Sequence, residues 1–161
     1  MNLTIRPICP SDYSLLEDFL YLCFYQPPSC EPFPRELIFD PEVYLYIDKF
    51  GTKPGDCGVV AVENGTTIGI AWTRIIPAYG HIDDVTPELA ISMSPDFRGW
   101  GVGTKLMTAL FAELHRQGYT RTSLSVQKNN PAVRFYERLG YQIINENHTQ
   151  NEDYIMLKIL N

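Results

Sequence analysis

The chain has 161 residues, enough for one domain with its own core and too few for two of ordinary size. A content of 45% hydrophobic and 12% aromatic residues excludes a disordered chain, and no stretch approaches the roughly 20 apolar residues of a membrane span. Net charge is −6, from 13 Lys and Arg against 19 Asp and Glu, which argues against nucleic acid as a partner and suits a neutral or cationic small molecule. The start MNLTIRPICP lacks the basic and apolar regions of a secretion signal, so a cytoplasmic setting is expected. Cys9, Cys23, Cys30 and Cys57 form no CxxC pair, and neither Cys nor His clusters at metal-ligand spacing; reduced thiols and no metal are expected.

In chain order, Leu3 to Arg6 alternate as a short strand, and Pro10-Ser11-Asp12 opens a helix through Leu15, Leu16, Phe19, Leu20 and Cys23. After QPPSCEPFP a second helical region runs through Leu37, Ile38, Val43, Tyr44 and Ile47, interrupted before Pro41 and closed at Gly51. The segment 21–46 is rich in aromatics and reads as a lid. CGVVAVE, the turn Asn64-Gly65 and TTIGIAWTRII predict a hairpin. PAYGHIDDVTP reads as a polar loop, ELAISMS as a strand, and Gly101 to Gln117 as an amphipathic helix ended by Gly118. TSLSVQ is a further strand, Asn130-Pro131 starts a helix that stops at Gly140, and YQIINE with DYIMLKIL predict a closing antiparallel pair. The order β-α-α-β-β-β-α-β-α-β-β, without repeats or linkers, predicts a single α/β (α+β) domain over residues 1–161, a mixed sheet flanked by helices.

FRGWGVGTKLM, residues 97–107, places three glycines at alternate positions where a helix is about to start. Glycine there costs about 1 kcal/mol relative to alanine. A helix N-terminus presents unpaired N–H groups and partial positive charge, and glycine admits an anion to them without a Cβ in the way. A Walker loop is excluded by the order Gly103-Thr104-Lys105, and a dinucleotide fingerprint by the spacing GxGxG and the absence of an acidic residue near Thr120-Arg121-Thr122.

Arg98-x-x-Gly101-x-Gly103 instead resembles the pyrophosphate-binding motif of the GNAT family, the Gcn5-related N-acetyltransferases that use acetyl-CoA. PELAISMSPDFRGWGVGTKLM resembles the family's fourth strand and following helix, and SLSVQKNNPAVRFYERLGY its fifth strand, fourth helix and next strand start. The resemblance implies a mostly antiparallel GNAT-like sheet and acetyl-CoA as cosubstrate. The backbone of Ile91, Ser92 and Met93 would pair with the pantetheine arm like an added strand. Arg98, Gly99, Gly101, Val102, Gly103 and Thr104 would cradle the pyrophosphate, Asn130 or its neighbour Asn129 would bond the pantetheine arm, and Tyr136 would be both a cofactor contact and the general acid.

The chemistry asks for such groups. A primary amine must lose a proton before it attacks a thioester, the oxyanion needs an N–H donor such as that of Met93, and the departing thiolate leaves more readily if a phenol protonates it. The glutamate that some family members carry on the fifth strand is missing from Leu124-Ser125-Val126, so Glu88 is the candidate base, with Asp83 or Asp84 behind it. Trp72 and Arg74 are candidates for the acceptor pocket, against a plain core role. His81, His115 and His148 show no partner in the sequence and receive no role. The expected reaction is direct acetyl transfer to a primary amine of a small molecule, with no nucleic acid or membrane involved and a homodimer left open. The rivals are a protein N-terminal or lysine acetyltransferase of the same fold and a non-catalytic acyl-CoA-binding module.

Overall fold

The computed structural model describes residues 2–145 and 153–161. The chain opens with β1 (Leu3–Pro7), and a 3-10 turn over Pro10–Leu15 leads into α1 (Leu16–Leu22). The single helix expected from Pro10 to Cys23 is thus split. Asp12 accepts the Cys9 backbone N–H at 2.9 Å and a forked pair of bonds from Arg6 at 2.8 and 3.0 Å, which fixes the tight entry. The Arg6 guanidinium holds the Asp12 carboxyl well below the usual carboxylate range. The second helical region is a 3-10 turn, Arg35–Phe39, followed by a four-residue α2 (Pro41–Tyr44), because Pro41 offers no N–H with which to extend the earlier turn.

The predicted hairpin forms from β2 (Cys57–Glu63) and β3 (Thr66–Arg74) around Asn64 and Gly65 at φ 49° and 79°. β4 (Glu88–Met93), α3 (Val102–Arg116), β5 (Arg121–Val126), α4 (Ala132–Arg138), β6 (Gln142–Ile143) and β7 (Tyr154–Ile159) complete the expected order. His148 and the end of YQIINE lie outside the described residues. The seven strands make one sheet, β1-β2-β3-β4-β5-β7-β6, antiparallel between all neighbours except the parallel β4 and β5. Among the described residues no helix is long and apolar enough to cross a membrane.

Alternation along β2 and β3 divides the core between the two faces of the sheet. Val59, Ala61 and Ala71 join Val102, Leu106, Met107, Leu110 and Leu114 of α3 in one cluster. Val60, Ile70 and Trp72 point the other way, against Leu16, Phe19 and Leu20 of α1 and Ile47 and Phe50 after α2.

Trp72 and Arg74, considered above for an acceptor pocket, belong to this second face as structural groups. Both are fully buried at 0% exposure. Trp72 Nε1 donates to the carbonyl of Tyr46 at 3.0 Å. Arg74 donates from Nε and Nη2 to both Asp56 carboxylate oxygens at 2.7 and 2.9 Å, and from Nη1 to the carbonyls of Leu45 and Asp48 at 3.0 and 2.7 Å. The chain after α2 is thereby stapled to the sheet from below. Arg74→Met keeps most of the volume but leaves the enclosed Asp56 carboxylate with only the Gly51 and Lys53 N–H groups for partners, and is expected to cost about 3 kcal/mol of stability. Chemical denaturation measures this, and a loss below about 1 kcal/mol would mean that the staple contributes little.

Candidate active site

The two parallel central strands meet at one residue pair, Glu88 opposite Ser123. That end is tied several times over: the carbonyl of Pro87 accepts from the Ser123 N–H at 3.0 Å and the Thr122 hydroxyl at 2.9 Å, and Ser123 Oγ donates to the Gly80 carbonyl at 2.8 Å. Beyond the pair the strands part, and two cavities of about 790 and 300 Å³ lie along the wedge between them.

The larger cavity is lined by every residue that the glycine motif and its surroundings nominate for a cofactor: Ile91, Ser92, Met93, Arg98, Gly99, Gly101, Val102, Gly103, Thr104, Asn130 and Tyr136. Gly101 caps α3 at φ 79°, a left-handed conformation that a β-carbon disfavours. The first intrahelical bond runs from the Lys105 N–H to the Gly101 carbonyl at 3.4 Å, so the N–H groups of Val102, Gly103 and Thr104 are unspent within the helix. A Cβ on Gly103 would reach only ordinary contact with Phe135, at 3.4 Å, while projecting into the same opening. Among the described residues Arg98 and Arg138 are the charged ones of this lining and no carboxylate shares it, although the chain as a whole is acidic. A polyphosphate fits such a donor set.

Other groups in the lining are partly committed. The carbonyls of Ile91 and Met93 turn toward the opening, where they accept from Cys23 Sγ at 3.6 Å and Arg98 at 3.4 Å. The Ser92 hydroxyl is spent on the Phe19 carbonyl at 2.6 Å, which anchors α1 to β4, and its backbone pairs with Ile70 of β3, so Ser92 offers a ligand little beyond contact. Asn130 Oδ1 caps α4 through the Ala132 N–H at 2.9 Å, leaving its NH₂ group to donate. Asn130 lines both cavities and Asn129 lines neither, which separates the two neighbours.

The smaller cavity lies on the α1 side of the sheet, bounded by Leu20, Val43, Tyr46, Tyr79, Ser125 and Asp153 among others, and shares Cys23, Ile91, Asn130 and Tyr136 with the larger one. Its surroundings are acidic. Tyr79 donates to Glu42 at 3.1 Å, burial raises the Asp153 carboxyl against the pull of Lys128, and among the described residues the lining itself holds no Lys or Arg. Tyr136 stands at the junction of the two spaces, packed edge-on against Tyr141 at 5.8 Å, and burial pushes its phenol upward so that it stays protonated. Burial also pushes the nearby Cys23 thiol up to about 12, which keeps it from being a thiolate nucleophile.

Glu88 sits just behind the wall of the smaller cavity, 2% exposed. Its Oε2 accepts from the Tyr46 hydroxyl and from the Gly80 N–H at 3.0 Å, and its Oε1 is buried with no hydrogen-bond partner among the described residues. Desolvation raises the carboxyl to about 7, against the pull of those two hydrogen bonds. Gly80 is required by space: a Cβ there would stand 2.7 Å from the Leu124 carbonyl carbon. The acids held in reserve behind Glu88 do not reach the site. Asp83 pairs with Arg121, which also donates to Thr86 at 2.8 Å, and hydrogen bonds keep the Asp83 carboxyl low. Asp84 is 98% exposed at its side chain and has His81 for a neighbour at 3.8 Å, a partner that the sequence did not reveal. Sequence reasoning also passed over Tyr46, Tyr79, Gly80 and Asp153; Tyr46 had only the density of aromatics in segment 21–46 to mark it, and Tyr79 had no local signal.

A family model described as the acetyltransferase (GNAT) family matches residues 16–141. The mycothiol acetyltransferase of Thermobispora bispora is 33% identical over 84 residues, which are 51% of this chain but 28% of that protein, so the likeness spans little more than a quarter of the relative. The PaiA N-acetyltransferase of Thermoplasma acidophilum, crystallised with coenzyme A, superposes with a TM-score of 0.71 at 20% identity over 99% of both chains. The ribosomal-protein-S18-alanine N-acetyltransferase of Escherichia coli does so with a TM-score of 0.66 at 20% identity, over 99% of this chain and 94% of that one.

The buried carboxyl makes stability depend on pH. Glu88 has a folded-state pKa of about 7 against 4.5 when exposed, so its contribution is fully present below 4.5 and is lost as pH rises through about 7. Glu88→Gln removes the charge, and its melting temperature relative to the wild type should therefore rise between about pH 5 and pH 8.5, by the equivalent of roughly 3 kcal/mol. A difference that does not change with pH would mean an unperturbed carboxylate.

Proposed function

Because the chain belongs to the acetyltransferase (GNAT) family, we propose that it transfers the acetyl group of acetyl-CoA to the primary amine of a small cationic acceptor. The observation that carries the reading is the division of charge along the wedge. Among the described residues, one cavity gathers arginines and free helix N–H groups with no carboxylate in its lining, the other has Asp153 at its wall, with Lys128 close enough to act on it, and Glu42 and Glu88 one hydrogen bond behind its tyrosines, and they meet at Tyr136. A volume of about 300 Å³ suits a small acceptor better than a peptide.

The cosubstrate supplies an activated thioester, and this chain's residues hold it and move protons around it. The N–H groups of Val102, Gly103 and Thr104, with Arg98, would hold the pyrophosphate. The open edge of β4 at Ile91 and Met93, with the NH₂ of Asn130, would bind the amide-bearing arm, and the Met93 N–H is the donor available to a developing oxyanion. Glu88 is the proton acceptor for the ammonium of the acceptor, its raised pKa matching a base that works near neutrality. Tyr136, protonated at all working pH values, gives its proton to the departing thiolate.

Release of coenzyme A across a panel of amines tests the reading. Turnover of small amines supports it, turnover of peptides alone would move the acceptor class to protein, and tight acetyl-CoA binding without turnover of any amine would leave a binding module. Two variants test the residues. Gly103→Val fills the phosphate cradle without demanding a forbidden backbone conformation, so acetyl-CoA binding measured by calorimetry should vanish while the circular dichroism spectrum persists; unchanged affinity would remove this loop from the site. Tyr136→Phe keeps the ring, so affinity should survive while turnover falls by about 10², and wild-type turnover would reduce Tyr136 to packing.

A further inference from the structure

We propose that the Tyr46 hydroxyl, not the Glu88 carboxylate, meets the acceptor amine, and that Tyr46 relays the amine's proton inward to Glu88. The inference rests on the acetyl-transfer reading above and adds a catalytic residue to it. Tyr46 forms part of the wall of the smaller cavity, whereas Glu88 does not. The carboxylate cannot swing out to replace it, because Oε2 is held by both the Tyr46 hydroxyl and the Gly80 N–H and the whole side chain is enclosed. Tyr46 is itself fixed in place. Trp72 Nε1 holds its carbonyl at 3.0 Å, and its ring stacks on Tyr79 at 6.5 Å and 18°. A tyrosine in a cavity wall whose phenol donates to an enclosed carboxylate has the makings of a one-step proton wire.

The step balances within these groups. The ammonium N–H breaks as a new O–H forms on Tyr46, while the original Tyr46 O–H breaks and its proton becomes bound to Glu88 Oε2. Tyr46 ends as it began, the amine carries a free electron pair toward the acetyl carbonyl, and the buried carboxyl becomes neutral. After product leaves, the proton returns along the same path to water in the emptied cavity. The unpartnered Oε1 fits this role: an enclosed oxygen without a donor favours a carboxyl that accepts a proton in each cycle.

The test compares two acceptors on the full-length chain with saturating acetyl-CoA: the best alkylamine of the panel, protonated at neutral pH, and methoxyamine, a weakly basic primary amine that arrives unprotonated. With the alkylamine, Tyr46→Phe and Glu88→Gln should each lower kcat by about 10², and the double variant should be no slower than the slower single one, because both act on one proton path. With methoxyamine the losses should shrink to within a few-fold. Equal losses with both acceptors, or additive losses in the double variant, would overturn the relay and leave Tyr46 as a positioning residue; wild-type kcat in Tyr46→Phe would overturn it as well. If Tyr46→Phe does not fold, 3-fluorotyrosine placed at position 46, a near-isosteric phenol of lower pKa, should shift the pH–rate profile for the alkylamine and not for methoxyamine; profiles unchanged for both would overturn the relay. A wild-type chain that acetylates no amine at all would overturn the acetyl-transfer reading and the relay with it, an outcome distinct from an active wild type with indifferent variants.

Discussion

Two parallel strands in the middle of this sheet share a single rung, and the rest of the molecule is arranged around that shortage. A parallel pair ordinarily satisfies its backbone groups evenly along its length. Here β4 and β5 do so only at Glu88 and Ser123, and an unpaired inner strand edge is costly unless something else bonds to it. Some of the cost is met inside the protein, where Cys23 and Arg98 donate to the carbonyls of Ile91 and Met93. The remainder is a row of backbone groups in the interior of a sheet, available to an extended ligand. Pro87 concentrates the closure at one end, its carbonyl taking two donors from β5.

The wedge also explains how an acidic chain presents two opposite environments within one site. Oriented N–H groups at the start of α3 make one end receptive to anions without spending a net positive charge, and Arg98 and Arg138 reinforce it. At the other end the carboxylates are kept at different distances from the cavity: Asp153 at its wall, Glu42 one hydrogen bond away, and Glu88 enclosed behind a tyrosine. Arg74 belongs to the same economy of charge. It is fully buried, yet its charge is consumed by Asp56 and three carbonyls, so it adds rigidity beneath Tyr46 rather than a cation to the pocket.

What the sequence disclosed and what it hid follow from the range of the forces involved. The hairpin was legible because Asn64-Gly65 and the alternation on either side are local, and α3 because its apolar stripe and the glycine before it lie within one stretch. The residues nominated for the larger cavity fall on two short motifs, which is why they could be named together, whereas Leu22 to Gln26, which also line it, come from the end of α1 and the chain just after it and carry no such motif. Local pattern failed where a distant contact decided the outcome. Trp72 and Arg74 sit on a strand whose pattern does not say what covers it, and the cover comes from residues 45–56, 18 or more positions upstream. Tyr46 meets Glu88 across 42 positions, and Asp83 is neutralised by Arg121 across 38. The second helical region differs in another way: its interruption before Pro41 was legible, but the stretch after Pro41 stays helical only to Tyr44, and Lys49 takes a left-handed conformation short of the expected close at Gly51.

The tied rung makes the wedge a lever. From Glu88 to the end of β4 at Met93 the strand runs about 16 Å, so a tilt of about five degrees between the two strands moves the far end by roughly 1.4 Å while the apex stays still. The strands β1 to β4 form one arm and β5, β7 and β6 the other, joined at the tightest corner of the sheet. Small elastic motions that would be imperceptible at Glu88 are amplified where Met93, Asn130 and Tyr136 stand. A ligand seated along the opening bridges both arms far from the fulcrum, where its leverage is greatest, and so stiffens the sheet across the one place where its own hydrogen bonds do not.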